Sequence, residues 1–66
     1  MLVVVNGTER ELADGSTVAD ALAVIDAPPT GIAVAVNGEV VRRAEWASTA
    51  LAQGGSVEVL TAVQGG

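Results

Sequence analysis

Sixty-six residues with a net charge of −5 and no Cys or His make a single small domain, without disulfides, a catalytic thiol or the commonest metal ligand. Only Arg10, Arg42 and Arg43 are basic, too few for the positive footprint that nucleic-acid binding requires. Half the residues are apolar, and they comprise twelve Val, twelve Ala, five Leu, two Ile, one Met and one Trp. A core of small, largely β-branched side chains favours a sheet.

Leu2 to Val5 is a short apolar run closed by Asn6-Gly7, which reads as a buried strand and a tight turn. It is far shorter than the apolar region of a signal peptide and has no basic start. No stretch reaches the length of a membrane span, so the expectation is a cytoplasmic protein with no membrane partner. Thr8 to Leu12 is polar apart from Leu12 and suits an edge strand completing a first hairpin.

Thr17 followed by Asp20 resembles a capping box and starts a helix near Val18. Val18, Ala21, Leu22 and Ile25 then fall on one face at helical spacing. Asp20 is read as a cap, since no second titratable group is placed to perturb it. Ala27-Pro28-Pro29 is expected to stop the helix.

Ile32 to Val36 reads as a strand covered on both faces. Asn37-Gly38 is a strong hairpin signal, and Glu39-Val40-Val41 is the return strand. Arg42 to Trp46 forms a turn of helix pinned to the core by Trp46, with the paired arginines solvated. Ala47 to Leu51 is expected to make a weak helical turn before Gln53-Gly54-Gly55. Ser56 to Thr61 is the last strand, with Val57 and Val59 on its buried side.

A hairpin, a helix crossing one face and a last strand returning parallel beside the first give an α+β fold of the β-grasp kind. Its mixed sheet has four to five strands on one main helix, with the first and last strands central. The domain spans residues 1–61, and residues 62–66 form a flexible tail, Ala62-Val63-Gln64-Gly65-Gly66.

Glycine lets a backbone enter a channel too narrow for any other residue. Five extended residues reach roughly 17 Å, enough to carry a terminal carboxylate clear of the domain. From the dipeptide alone, a tail built for threading and a merely frayed end are both open.

The hairpin-helix order, Ala35-Val36-Asn37 before a hairpin, Val41, Arg43 and Trp46, a glycine turn, Val57-Glu58-Val59 and the closing Val63-Gln64-Gly65-Gly66 together resemble the ThiS family, the ubiquitin-like sulfur carriers of thiamine biosynthesis. The resemblance spans the whole chain, with Gly66 taken as its last residue. There are two departures, Arg42 where the family often has a preceding proline and Gly54-Gly55 where it commonly has Gly-Asp, and both concern turns.

The resemblance implies that an E1-like adenylyltransferase of the ThiF or MoeB type uses ATP and magnesium to activate the Gly66 carboxylate. A persulfide donor then converts it to a thiocarboxylate, and a thiazole synthase of the ThiG type takes the sulfur. Gly66 carries the acyl-adenylate and the sulfur, while Gly65, Gln64 and Val63 thread the tail. The carrier binds no cofactor or metal and is not an enzyme. Three alternatives remain at this point: a molybdopterin synthase small subunit, a ubiquitin-like protein modifier attacked by a lysine amine, and an interaction domain that binds a partner by strand addition.

Overall fold

A computed structural model describes residues 1–61. Strand β1 (Leu2–Val5) turns through Asn6-Gly7 into β2 (Thr8–Glu11), with Leu2 opposite Glu11 and Val5 opposite Thr8. Asn6 and Gly7 both have positive φ, 50° and 80°, the twist that lets a two-residue loop join antiparallel strands. Alternation buries Val3 and Val5 on one face and leaves Leu2 and Val4 on the other. Arg10 stands opposite Val3 on the edge strand, at the rim of the buried face.

The Met1 ammonium closes this hairpin from below, donating to the Leu12 carbonyl at 2.6 Å, to Glu11 at 2.9 Å and to Asp14 at 3.4 Å. The Glu11 hydrogen bond, supported by Asp14 and opposed by burial, raises its pKa above the ordinary 8.0. A raised pKa means the folded state holds the proton more tightly, so the stabilisation is complete below pH 8 and is lost as pH climbs through the folded value. The chain has no Lys, Cys, His or Tyr, so no other group titrates between neutrality and the arginines. Unfolding free energy from urea titrations should therefore fall above pH 8, and Glu11→Gln should flatten that fall.

Helix α1 (Val18–Val24) begins as the sequence predicts. Thr17 caps it: the Thr17 amide donates to Asp20 at 2.8 Å, and the Asp20 amide donates to the Thr17 hydroxyl at 3.4 Å. Val18, Ala21 and Leu22 are buried, and Ile25 packs against them from the helix end.

The end of the helix differs from expectation. It stops two residues before Ala27-Pro28, where Asp26 takes φ 56°. There the Asp26 amide donates to the Ala23 carbonyl and the Ala27 amide to Leu22, the paired bonds of a left-handed helix cap. The prolines only follow it. Because a side chain is disfavoured at such a position, Asp26→Gly should stabilise the fold by about 0.5–1 kcal/mol, read as a higher urea midpoint.

Strand β3 (Ile32–Val36) pairs through Asn37-Gly38 with β4 (Glu39–Val41). Contrary to the two-sided burial expected, β3 is covered on one face only: Val34 is buried, whereas Ala33 is exposed. A run of Ile, Val and Ala reads as apolar throughout, yet alanine buries too little surface to require a cover.

Arg43–Glu45 forms a single 3-10 turn. The Trp46 indole donates to the Val41 carbonyl at 2.9 Å and packs on the core. Arg43 is not simply solvated, for its guanidinium lies 5.9 Å from the centre of the Trp46 ring and donates to the Pro29 carbonyl.

Ala47 to Leu51 does not form the helical turn expected. Ala50 instead bridges Thr17, and the Leu51 amide donates to Ser16 at 2.9 Å. The helix takes the segment's Thr49 carbonyl, which accepts from Val18, and the Trp46 carbonyl just before the segment, which accepts from Ala19, each at 3.0 Å. These bonds satisfy amides that a helix start leaves without internal partners.

Strand β5 (Ser56–Thr61) completes a five-stranded sheet in the order β2-β1-β5-β3-β4. It lies parallel to β1 and antiparallel to β3. Helix α1 covers one face, over a core of Val3, Val5, Leu12, Val18, Ala21, Leu22, Val34, Leu51 and Val57. Among the described residues no helix is long and apolar enough to cross a membrane.

Candidate functional site

The predicted site residues Val63, Gln64, Gly65 and Gly66 lie outside the described residues. What the structure places is their root. Strand β5 is the middle strand of the sheet, held by β1 on one side and by β3 on the other, where the register runs from Val36↔Val57 to Ile32↔Thr61. A segment following Thr61 therefore starts from the best-supported strand of the domain.

Three local devices fix β5. Gly54 (φ 79°) donates its amide to the Leu2 carbonyl at 2.7 Å, turning the chain into the strand. At Gly55 a Cβ would stand 3.0 Å from the Ala52 carbonyl oxygen, a tight approach that a side chain could take only if that carbonyl moved by a few tenths of an ångström.

The other two devices are the asparagines of the hairpins. Asn37 Oδ1 accepts from the Ser56 amide at 3.0 Å, and Asn6 Oδ1 accepts from the Val59 amide at 2.8 Å. Each Asn-Gly pair reads in sequence only as a turn. That both side chains clasp one distant strand follows from the β1-β5-β3 order, which puts both turns beside it.

The face of the sheet away from α1 is open. It carries Val40 and Leu60, 79% and 67% exposed, with Ala33 and Ala35 between them in register. Glu9, Glu11 and Glu58 share this face by strand alternation, so it is apolar on the β5-β3-β4 side and acidic toward β2. The described residues contain no pocket and no group of three His, Cys, Asp or Glu arranged for a metal.

The arrangement matches known proteins along its whole length. The model of the ThiS family matches residues 3–66. A crystal structure of the thiamine biosynthesis protein ThiS from Geobacter metallireducens superposes with a TM-score of 0.84 at 29% identity, covering all of both chains. The solution structure of a thiamine biosynthesis protein from the same organism gives 0.77 at 30% identity, covering all of this chain and 88% of that one. No curated protein sequence matches. The fold is the ubiquitin-like β-grasp, and the chain belongs to the ThiS family.

Proposed function

We propose that this protein is a sulfur carrier of thiamine biosynthesis that works through the carboxyl group of Gly66. The observation that carries the reading is the family match over residues 3–66, which takes in the Gly65-Gly66 pair together with the domain behind it. Residues 1–61 act as the docking body and residues 62–66 as the reacting arm.

A terminal carboxylate has a pKa of about 3.3–3.7 and is ionised at neutral pH, so it is a poor electrophile. An adenylating partner with ATP and magnesium converts it to a mixed anhydride with AMP, releasing pyrophosphate. A persulfide sulfur then attacks the carbonyl and expels AMP, and cleavage of the resulting sulfur–sulfur bond by a thiol leaves a thiocarboxylate on Gly66. A thiazole synthase uses that nucleophilic sulfur. The carrier catalyses none of these steps and meets its partners in the cytoplasm; its contribution is a slim end on a rigid strand.

Intact mass spectrometry tests the reading. After incubation with a ThiF-type enzyme, ATP, magnesium and a persulfide donor, one oxygen of the chain should be replaced by one sulfur. The loaded carrier should then support thiazole formation and not molybdopterin formation. An unchanged mass with every adenylating partner would overturn the proposal.

A further inference from the structure

Among the described residues, the lane beside the last residues of β5 is open in a way that the rest of the strand is not. Along β1 the ladder advances in steps of two: the Val4 amide donates to the Gly55 carbonyl and the Asn6 amide to the Val57 carbonyl, both at 2.9 Å. At Asn6 the backbone swings away into the turn with φ 50°. Its side chain continues the ladder in place of the backbone carbonyl, accepting from the Val59 amide. The next step would engage the Val59 carbonyl and the Thr61 amide. Strand alternation aims both groups to the same side as the Val59 amide, and no described residue hydrogen-bonds to either. On its other side β5 remains paired with β3 as far as Ile32↔Thr61. Among the described residues, Val59 and Thr61 thus border a slot one strand wide where residues 62–66 begin.

We propose that this slot takes an extended segment of the adenylating enzyme, which pairs with β5 as an added strand: its carbonyl accepts from the Thr61 amide and its amide donates to the Val59 carbonyl. The inference rests on the sulfur-carrier reading above and names how the partner grips the arm. An enzyme whose reaction centre holds Gly66 must lie within roughly 17 Å of Thr61, the reach of five extended residues. Its surface therefore passes over the slot. An extended segment satisfies both backbone groups at once, which is how strand addition gains affinity. The side chain it presents on the open face would sit beside Leu60, 67% exposed, and is apolar on this account, with a basic residue toward the exposed Glu58. Pairing there would fix the register in which residues 62–66 enter the enzyme.

The test uses the full chain, a ThiF-type enzyme and ATP. Amide hydrogen exchange of Thr61, followed by NMR, should slow by at least about tenfold on complex formation. Thr61→Pro removes the amide hydrogen but keeps the β3 pairing, since proline is tolerated where the N–H faces out of the sheet. It should weaken binding by about tenfold, whereas Thr61→Val stays within about twofold of the unmodified chain. Binding by the unmodified chain with unprotected Thr61 and an undiminished Thr61→Pro would overturn the strand pairing and leave the carrier role intact. Protection that grows with carrier concentration without enzyme would assign the slot to a second copy and also overturn it. Failure of the unmodified chain to bind any adenylating enzyme would remove both readings.

Discussion

Gly66→Val is expected to cut ATP-dependent sulfur loading by about a hundredfold or more, since displacing a reacting group by about 1 Å can cost that much, with the unfolding midpoint unchanged. On the proposed function, the added isopropyl group sits next to the carboxylate whose oxygen takes up the adenylyl group and whose carbonyl carbon sulfur then attacks, and it widens an end that glycine keeps slim. The buried residues of the described core run from Val3 to Val57, which is why the midpoint is expected to hold. Gly65→Val should act similarly through the threading step. Extending the chain by one residue makes the same point chemically, for the Gly66 carbonyl becomes an amide and cannot be adenylated as a carboxylate. Intact mass after incubation with the adenylating enzyme and a persulfide donor reads all three variants. Normal loading of Gly66→Val would show that the terminal glycine is not selected for slimness.

Strands β1, β2, β4 and β5 and the start of α1 were legible in the sequence because each has a local cause: a run set off by Asn-Gly for β1, β2 and β4, an alternating run after Gly54-Gly55 for β5, and a Thr-Asp capping pair for the helix. The parallel pairing of β1 with β5 was legible too, as it is the simplest way for one helix to cover a hairpin and a returning strand. What escaped has non-local causes. Asp26 takes a conformation in which glycine is usual, so nothing in its own chemistry marks the helix end ahead of the prolines. Ala47 to Leu51 has helix-compatible residues, but its Thr49 carbonyl is claimed by the first turn of α1 and its Leu51 amide by Ser16, contacts between segments about thirty residues apart. The exposure of Ala33 on an apolar strand reflects a sheet covered on one face only. The asparagine clasps on β5 were invisible for the same reason, since Asn6 and Val59 meet only once the sheet is assembled. For the site, Val63 to Gly66 could be named from sequence, whereas the slot beside Thr61 required knowing where β1 turns away.

Leu22→Ala should be the most damaging single change to the body of the protein, costing about 3 kcal/mol within the range of about 2–5 usual for buried leucine truncations. Leu22 is one of three buried leucines, with Leu12 and Leu51, in a core otherwise made of valine and alanine. The largest fully buried side chains of the same core, Val3, Val18, Val34 and Val57, are β-branched and stiff, so the space left by Leu22 closes only in part. At roughly 0.05–0.15 kcal/mol per residue, a domain of this size has about 3–10 kcal/mol in total, and the variant would lose a third or more of it. Val24→Ala on the same helix is the internal control: Val24 is 51% exposed, and its truncation should stay within about 0.5 kcal/mol. Urea midpoints of the two variants decide the matter, and equal, small effects would show that α1 is not what seals the sheet. Sulfur loading should follow the folded fraction in Leu22→Ala and recover when the concentration of the adenylating partner is raised, because binding to the native state pulls the equilibrium back. Gly66→Val has no such remedy, since its body is already folded and its defect lies in the reacting end itself.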